Sequence, residues 1–146
     1  MSGIDFINVI RTAFAPFVGD LGFERLPEQV SGKLYSVDFA RHDVVVSIFF
    51  EPGDKYAETV VFKCKNGVRS PYDDRTATPR LPDLNRKYMG QISTGDRAAN
   101  NAFFAALRGQ DADEEQLLRT ALQLRLVLPM YLADQSSGEQ LGSNSC

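Results

Sequence analysis

The sequence predicts a single α+β domain with helices at both ends and strands between them. Apolar residues recur every three or four positions near the two ends of the chain, and at alternate positions between residues 33 and 65. The connectors between the alternating segments are short and polar, which favours antiparallel hairpins over parallel crossovers. We therefore expect an N-terminal helix, an antiparallel β-meander of three to four strands, a long irregular segment, and two C-terminal helices packed on the sheet.

The N-terminal helix is predicted from its first turn and from one apolar stripe. Ser2 and Asp5 match the Ser-x-x-acid pattern of a helix start, with the acid near the positive end of the dipole. The stripe consists of Phe6, Ile10, Phe14, Phe17 and Leu21. Pro16 removes a backbone donor, so we expect a kink or a split near Ala15.

Three alternating segments predict the strands of the meander, at residues 33–40, 44–51 and 59–65. The second is apolar on both faces, so we place it at the centre of the sheet. Asn66 and Gly67 form a strong hairpin signal, and residues 68–70 are a candidate stub of a fourth strand.

Residues 67–96 are rich in Pro, Gly and Asp and show no sustained period, which is typical of a functional surface loop or of unrecognised short elements. Ser93 then opens a helix that Gly109 is expected to end. A last helix begins at Asp111 and is expected to bend near Pro129. It is apolar over more than half its circumference, so it packs between the sheet and another helix or joins two copies of the chain. We favour the first.

The length of 146 residues fits one domain, which we place at residues 1–134, with residues 135–146 as a flexible C-terminal tail. No apolar run approaches the ~20 residues that span a bilayer, and the first residues lack the basic region of a secretory signal. Cys64 and Cys146 can in principle pair, but a free buried thiol is the commoner state for a cysteine in an apolar strand. We therefore expect a reduced, cytoplasmic protein.

The basic residues are concentrated in one part of an acidic chain. Residues 67–109 carry 7 basic and 4 acidic groups, a net +3, in a protein whose net charge is −3. Arg and Tyr in this part suit a protein interface, and also stacking on RNA. We favour a protein interface over a plain solvated surface, and both over nucleic acid. The candidate partner-binding residues are Tyr72, Asp73, Asp74, Arg75, Arg80, Asp83, Arg86, Lys87 and Tyr88.

The sequence contains no catalytic or cofactor motif, and we expect neither an enzyme nor a bound cofactor. The single histidine excludes a His-based metal cluster, and there is no nucleophile elbow or phosphate-binding loop. Asp73, Asp74, Asp83 and Asp96 can in principle hold Mg²⁺. Their spacing is irregular, however, and adjacent Asp residues are ordinary turn formers. A small enzyme remains an alternative only through the first three of these carboxylates.

The layout resembles a known class of proteins over roughly residues 4 to 130. A helix runs into Leu21-Gly22-Phe23 and is followed by the strands of YSVDFARHDVVVSIFFEPGDKYAETVVFKCK, then by YDD, LPDLNRKY and C-terminal helices. This is similar to the immunity proteins of contact-dependent growth inhibition and related bacterial polymorphic toxin systems. The resemblance implies cytoplasmic binding and neutralisation of a cognate toxin domain, often a nuclease.

A type III secretion-like chaperone that binds an effector protein is the alternative. Such chaperones also begin with a helix and strands, and they dimerise through helices, which the apolar last helix would suit. They usually carry further strands where this chain has its basic, Pro-rich segment. Direct binding of nucleic acid is not expected, and the oligomeric state stays open, with a monomer favoured.

Overall fold

Helices pack on one face of a six-stranded antiparallel sheet in the computed structural model, which describes residues 1–137. The α+β class and the predicted order of helix, meander and C-terminal helices are confirmed. Among the described residues, no helix is long and apolar enough to cross a membrane.

The N-terminal helix is split, as predicted. Helix α1 (Gly3–Val9) begins with a capping box, in which the Ser2 hydroxyl accepts a hydrogen bond from the Asp5 N–H at 3.1 Å. A π-helical turn (Ile10–Phe14) then leads into α2 (Ala15–Asp20). Pro16 lies in the first turn of α2, where the loss of its N–H costs least. Just before it, the hydrogen bonds of the π-helical turn join residues five apart instead of four.

The sheet contains two strands that the sequence did not predict. The strands are β1 (Glu24–Arg25), β2 (Gln29–Ser31), β3 (Leu34–Arg41), β4 (Val44–Glu51), β5 (Tyr56–Lys65) and β6 (Val68–Arg69). Their order is β1-β3-β4-β5-β6, and β2 also pairs with β3. The central place of β4 and the stub β6 were both predicted. The unpredicted β1 and β2 are too short to show a period of two, so only their pairing with β3 defines them.

The tight turns use residues with positive φ. Asn66 (φ 54°) and Gly67 (φ 77°) connect β5 to β6, which is the conformation that a two-residue hairpin requires. His42 (φ 46°) lies in the turn between β3 and β4. The only histidine thus has a turn-forming position.

The C-terminal part holds three helices where two were predicted. They are α3 (Leu81–Tyr88), extended by a 3₁₀ turn (Met89–Gln91), then α4 (Thr94–Phe104) and α5 (Ala112–Ser137). Helix α3 lies inside the segment predicted to be irregular, so that prediction was wrong for these residues. Helix α4 ends before the predicted stop at Gly109.

Helix α5 continues through Pro129 and ends at Ser137. The first three residues of the predicted tail, 135–137, are therefore helical, and the rest of that tail, 138–146, lies outside the described residues. The favoured packing of α5 is confirmed, because it contacts α1, α3, α4 and β5. The fully buried side chains on this helix include Leu117, Leu124 and Leu128.

The core lies between the helices and one face of the sheet. Its largest fully buried side chains include Phe6, Phe14, Phe39 and Phe50. A smaller apolar cluster on the opposite face contains Cys64, which is buried. The expectation of a free thiol at this position was wrong, because Cys64 is disulfide-bonded in the structure. The only other cysteine of the chain, Cys146, lies outside the described residues.

Candidate functional site

A polar cleft of about 650 Å³ lies at the edge of the sheet, and we name it the edge cleft. Residues 56–59 of β5 form one side of it. The loop of residues 70–80 contributes Tyr72, Arg75 and Arg80, helix α3 contributes Arg86, and α5 contributes Thr120 and Gln123. The edge cleft thus joins parts of the chain that are far apart in sequence.

Glu58 is the hydrogen-bond acceptor at the centre of one side of the cleft. Its Oε1 accepts from the Tyr72 hydroxyl at 2.7 Å and from Arg80 Nε at 3.3 Å, and its Oε2 accepts from the Tyr56 hydroxyl at 2.7 Å. The Arg80 guanidinium also stacks over the Tyr72 ring, 4.0 Å from its centre. One carboxylate therefore fixes two tyrosines and an arginine.

These contacts move the pKa values of the three groups away from neutrality. Burial acts to raise the pKa of Glu58, but the hydrogen bonds from Tyr56 and Tyr72 and the charge of Arg80 outweigh it and hold that pKa below its usual range. The hydrogen bond to Glu58, followed by burial, raises the pKa of Tyr56 to about 12. The separate hydrogen bond that Tyr72 donates to Glu58 raises the pKa of Tyr72.

Asp83 is the second acceptor and lies in the first turn of α3. Its carboxylate accepts from Arg75 Nη2 at 3.0 Å and Nε at 3.1 Å, from the Arg80 N–H at 2.9 Å, and from Arg86 at 3.4 Å. Burial acts to raise its pKa, but the Arg80 N–H and the Arg75 side chain outweigh it and lower the pKa of Asp83. The Arg75 and Arg86 side chains remain 56% and 73% exposed.

Two buried polar atoms beside the cleft lack a hydrogen-bond partner among residues 1–137. They are the hydroxyl of Thr59, which lines the cleft, and the side-chain oxygen of Asn85. The Asn85 amide group donates to Gln123 Oε1 at 3.0 Å, and Gln123 also lines the cleft. A buried polar atom without a partner is uncommon in a folded protein.

The structure brings together a little over half of the sequence-predicted binding residues. Tyr72, Arg75, Arg80 and Arg86 line the edge cleft, and Asp83 contacts three of them. Arg80 is itself only 8% exposed, because its guanidinium packs on Tyr72 and donates to the Thr78 carbonyl. Arg80 therefore supports the wall of the cleft.

The other predicted residues lie elsewhere or have structural contacts. Asp74 accepts hydrogen bonds from the N–H groups of Thr76 and Ala77, which is the turn-forming use of an Asp. Asp73 is exposed in the same loop. Helix α3 directs Tyr88 into the core, where it donates to Asp134 at 2.6 Å, so its ring is not displayed for a partner. Lys87 lies beside that ring.

Sequence reasoning missed the contribution of β5. The predicted strand began at Thr59, whereas β5 begins at Tyr56, which places Tyr56 and Glu58 on one face of the strand beside the cleft. The alternation of Tyr56, Glu58 and Val60 was the signal for this longer strand. Nothing in the sequence indicated Gln123, because only the packing of α5 brings it to the cleft.

A second cleft, of about 480 Å³, is apolar and lies between α2, α4 with the segment before it, and α5. Its apolar walls include Phe17, Ile92, Leu126 and Met130. Charged side chains also line it, including Arg125, which donates to Asn100 Oδ1 at 3.0 Å. We name it the apolar cleft.

Within residues 1–137, no group of three or more His, Cys, Asp or Glu side chains is arranged to hold a metal ion. Comparisons of the chain with protein-family models, with curated proteins and with solved structures found no match.

Proposed function

We propose that the chain is an immunity protein, which binds and neutralises a cognate bacterial toxin domain in the cytoplasm, and that the toxin docks over the edge cleft. One observation carries the proposal. Exposed Tyr56, Tyr72, Arg75 and Arg86 surround a single cleft, and the carboxylates of Glu58 and Asp83 hold them in place.

This arrangement has the properties of a protein-binding surface. Tyr and Arg are the side chains that most often dominate the energy of protein interfaces, since they combine contact area with hydrogen bonding. Side chains that are already fixed in the free protein lose less conformational entropy when a partner binds. The hydrogen bonds of Glu58 and Asp83 supply that order.

The ionisation of the cleft supports binding over catalysis. A general acid or base is most effective when its pKa lies near the working pH. The pKa of Glu58 is held below its usual range, and that of Tyr56 is raised to about 12, so both move away from neutral pH. This is the reverse of the tuning expected for an acid–base pair.

Charge reversal at the cleft tests the proposal. The probe is the C-terminal domain of the protein encoded just upstream of this chain, which the proposal expects to be a large secreted toxin. We expect Arg86→Glu to weaken binding to that domain at least 10-fold in calorimetry, and to abolish protection of cells that express it. The melting temperature should stay the same, because Arg86 is exposed and only loosely paired.

Lys65→Glu is the matched control. Lys65 is exposed at the other end of β5, nine residues and roughly 30 Å from Tyr56 along the strand. This variant should bind and protect like the parent chain. Equal affinity for Arg86→Glu and the parent would reject docking at the edge cleft, and failure of the parent chain to protect cells would reject the immunity function.

The type III secretion-like chaperone remains the second candidate, and the apolar cleft is the observation that favours it. A cleft of about 480 Å³ lined by Phe17, Leu126 and Met130 suits an apolar segment of an effector. Light scattering at micromolar concentration separates the two candidates. The chaperone hypothesis requires a dimer, so a monomer would count against it.

A further inference from the structure

We propose that the edge cleft receives an extended segment of the partner polypeptide, which adds as a strand to the open edge of β5 and places an acidic side chain beside Arg75 and Arg86. The inference deepens the proposed function and rests on it for the assumption that the partner is a protein. It concerns the mode of binding, which the immunity function itself does not specify.

The first step is the direction of the backbone groups of β5. The N–H of Val61 points away from β4, because it donates to the carbonyl of Pro79 at 2.9 Å. In an antiparallel strand, alternate residues direct their N–H and C=O groups to the same side. The N–H groups of Thr59 and Ala57 therefore also point away from β4, toward the outer edge of the sheet.

The second step is that this edge is open at one end only. Strand β6 pairs with β5 at Cys64 and Lys65, and a single bridge joins Val60 to Arg80. Beyond that bridge, no strand of the described chain pairs with residues 56–58 on the side of β5 that faces away from β4. Among residues 1–137, the N–H group of Ala57 has no backbone partner on this side, whereas Thr59 is only 2% exposed, so its N–H is not open to solvent.

The third step is that the open edge faces the cleft. Four consecutive residues of β5, 56–59, line it. Side chains of successive strand residues leave on opposite faces, so four in a row can line one cleft only when the strand turns its edge toward it. The open stretch, residues 56–58, is roughly 7 Å long at about 3.4 Å per residue, which accommodates an added strand of about three residues.

The fourth step is the charge that selects the occupant. Three guanidinium groups line the cleft, from Arg75, Arg80 and Arg86, and the carboxylates that pair with them are the two of Glu58 and Asp83. Arg75 and Arg86 share the single carboxylate of Asp83, and Arg86 is the more distant at 3.4 Å. The cleft therefore carries an excess positive charge within an acidic protein, which favours an incoming carboxylate.

The test uses a substitution that removes one backbone donor from the open edge. In Ala57→Pro the ring replaces an N–H that points outward, so the ladder with β4 keeps its hydrogen bonds, as for prolines on edge strands. Ala57→Val is the matched control, since it adds similar bulk and retains the N–H. Melting temperatures of both variants show whether each is folded.

The probes are two capped peptides that alternate Val and Thr, one with a central Glu and one with a central Lys, each at about 1 mM, where weak binding is detectable. We expect the Glu peptide to slow hydrogen exchange of the Ala57 amide at least 5-fold in the parent chain. The Lys peptide should leave that rate unchanged. Ala57→Val should bind the Glu peptide, and Ala57→Pro should lose most of that binding.

Three outcomes overturn the inference. They are unchanged exchange at Ala57 with the Glu peptide, equal protection by the two peptides, and equal binding by folded Ala57→Pro and Ala57→Val. None of these outcomes bears on whether the chain protects cells, which the toxin experiment measures separately. Protection without strand addition would retain the function and reject this mode of binding.

Discussion

At the scale of single residues, two carboxylates determine how the candidate site is built. Glu58 receives two tyrosine hydroxyls and one guanidinium, and Asp83 receives two guanidiniums and a backbone N–H. Hydrogen bonds to a charged acceptor are stronger than those between neutral groups. The positions of the surrounding Tyr and Arg side chains therefore depend on Glu58 and Asp83 remaining ionised.

We predict that Glu58→Gln lowers the pKa of Tyr56 from about 12 toward the usual 10.0. The neutral amide no longer penalises the tyrosinate by its charge and accepts a weaker hydrogen bond. Spectrophotometric titration of tyrosine ionisation measures the change. Tyr56→Phe is the control, because it should remove the same late-titrating group while Glu58 is intact. An unchanged late titration in Glu58→Gln would contradict the proposed hydrogen bond.

The hydrogen bond between Tyr56 and Glu58 also makes the stability of the protein depend on pH at high pH. The folded-state pKa of Tyr56 is raised, so its stabilising contribution is complete below pH 10 and is lost between about pH 10 and pH 12. Glu58→Gln should show a smaller loss of stability over that interval than the parent chain.

At the scale of elements, the sequence predicted the helices and strands that are long enough to show a recognisable pattern of apolar residues. The strands near residues 34–41 and 44–51, and the capping box at Ser2, were read from local signals. Helix α3 was missed because it is only 8 residues long and lies in a stretch rich in Pro, Gly and Asp, a composition typical of loops. Its Pro82 lies in the first turn. At the first turn of a helix, proline is favoured. Whether such a short segment forms a helix depends on its contacts with the rest of the fold.

We predict that Phe14→Ala and Phe50→Ala each lower the free energy of unfolding by ~3–5 kcal/mol. Both rings are fully buried, one in the π-helical turn and one on β4, so each truncation leaves a cavity between helix and sheet. Urea denaturation measures the change. Ile4→Ala is the control, because Ile4 is 73% exposed and its truncation should cost little. Losses of less than about 1 kcal/mol at both rings would contradict the described core.

Two adjacent aspartates test the turn within the loop of residues 70–80. The Asp74 side chain accepts from two backbone N–H groups, whereas Asp73 is exposed and the structure gives its carboxylate no hydrogen bond within residues 1–137. We predict that Asp74→Ala costs about 1 kcal/mol of stability, as for a lost cap, and that Asp73→Ala costs almost nothing. Thermal unfolding measures both. Equal effects of the two variants would contradict the described turn.

At the scale of the whole molecule, the candidate site depends on tertiary structure that the sequence does not reveal. The basic part of the chain, residues 67–109, was visible as a charge excess. The other walls come from β5 and α5, and Gln123 reaches the cleft only through helix packing. Tyr88 was predicted to be displayed because Tyr is common at interfaces, but the helical phase of α3 turns it into the core. Because helix α3 was not predicted, the orientation of the Tyr88 side chain was not predictable either.

The two lowered carboxylate pKa values predict how the molecule responds to acid. Groups with a depressed folded-state pKa stabilise the protein above their ordinary values, here 4.5 for Glu58 and 3.8 for Asp83. That contribution is lost as the pH falls through the lower folded-state values. We predict that the melting temperature of the Glu58→Gln, Asp83→Asn double variant falls less steeply below pH 5 than that of the parent chain. Parallel curves for the two proteins would contradict the assignment.

The absence of tryptophan gives the edge cleft a built-in optical signal. The chain has five tyrosines and no tryptophan, and Tyr56 and Tyr72 both line the cleft. Their hydroxyls share one acceptor, so any occupant that displaces Glu58 disturbs both rings together. Near-ultraviolet difference spectra of the unlabelled protein should therefore report occupancy directly, and a tryptophan in the bound molecule would add an emission band that this chain lacks.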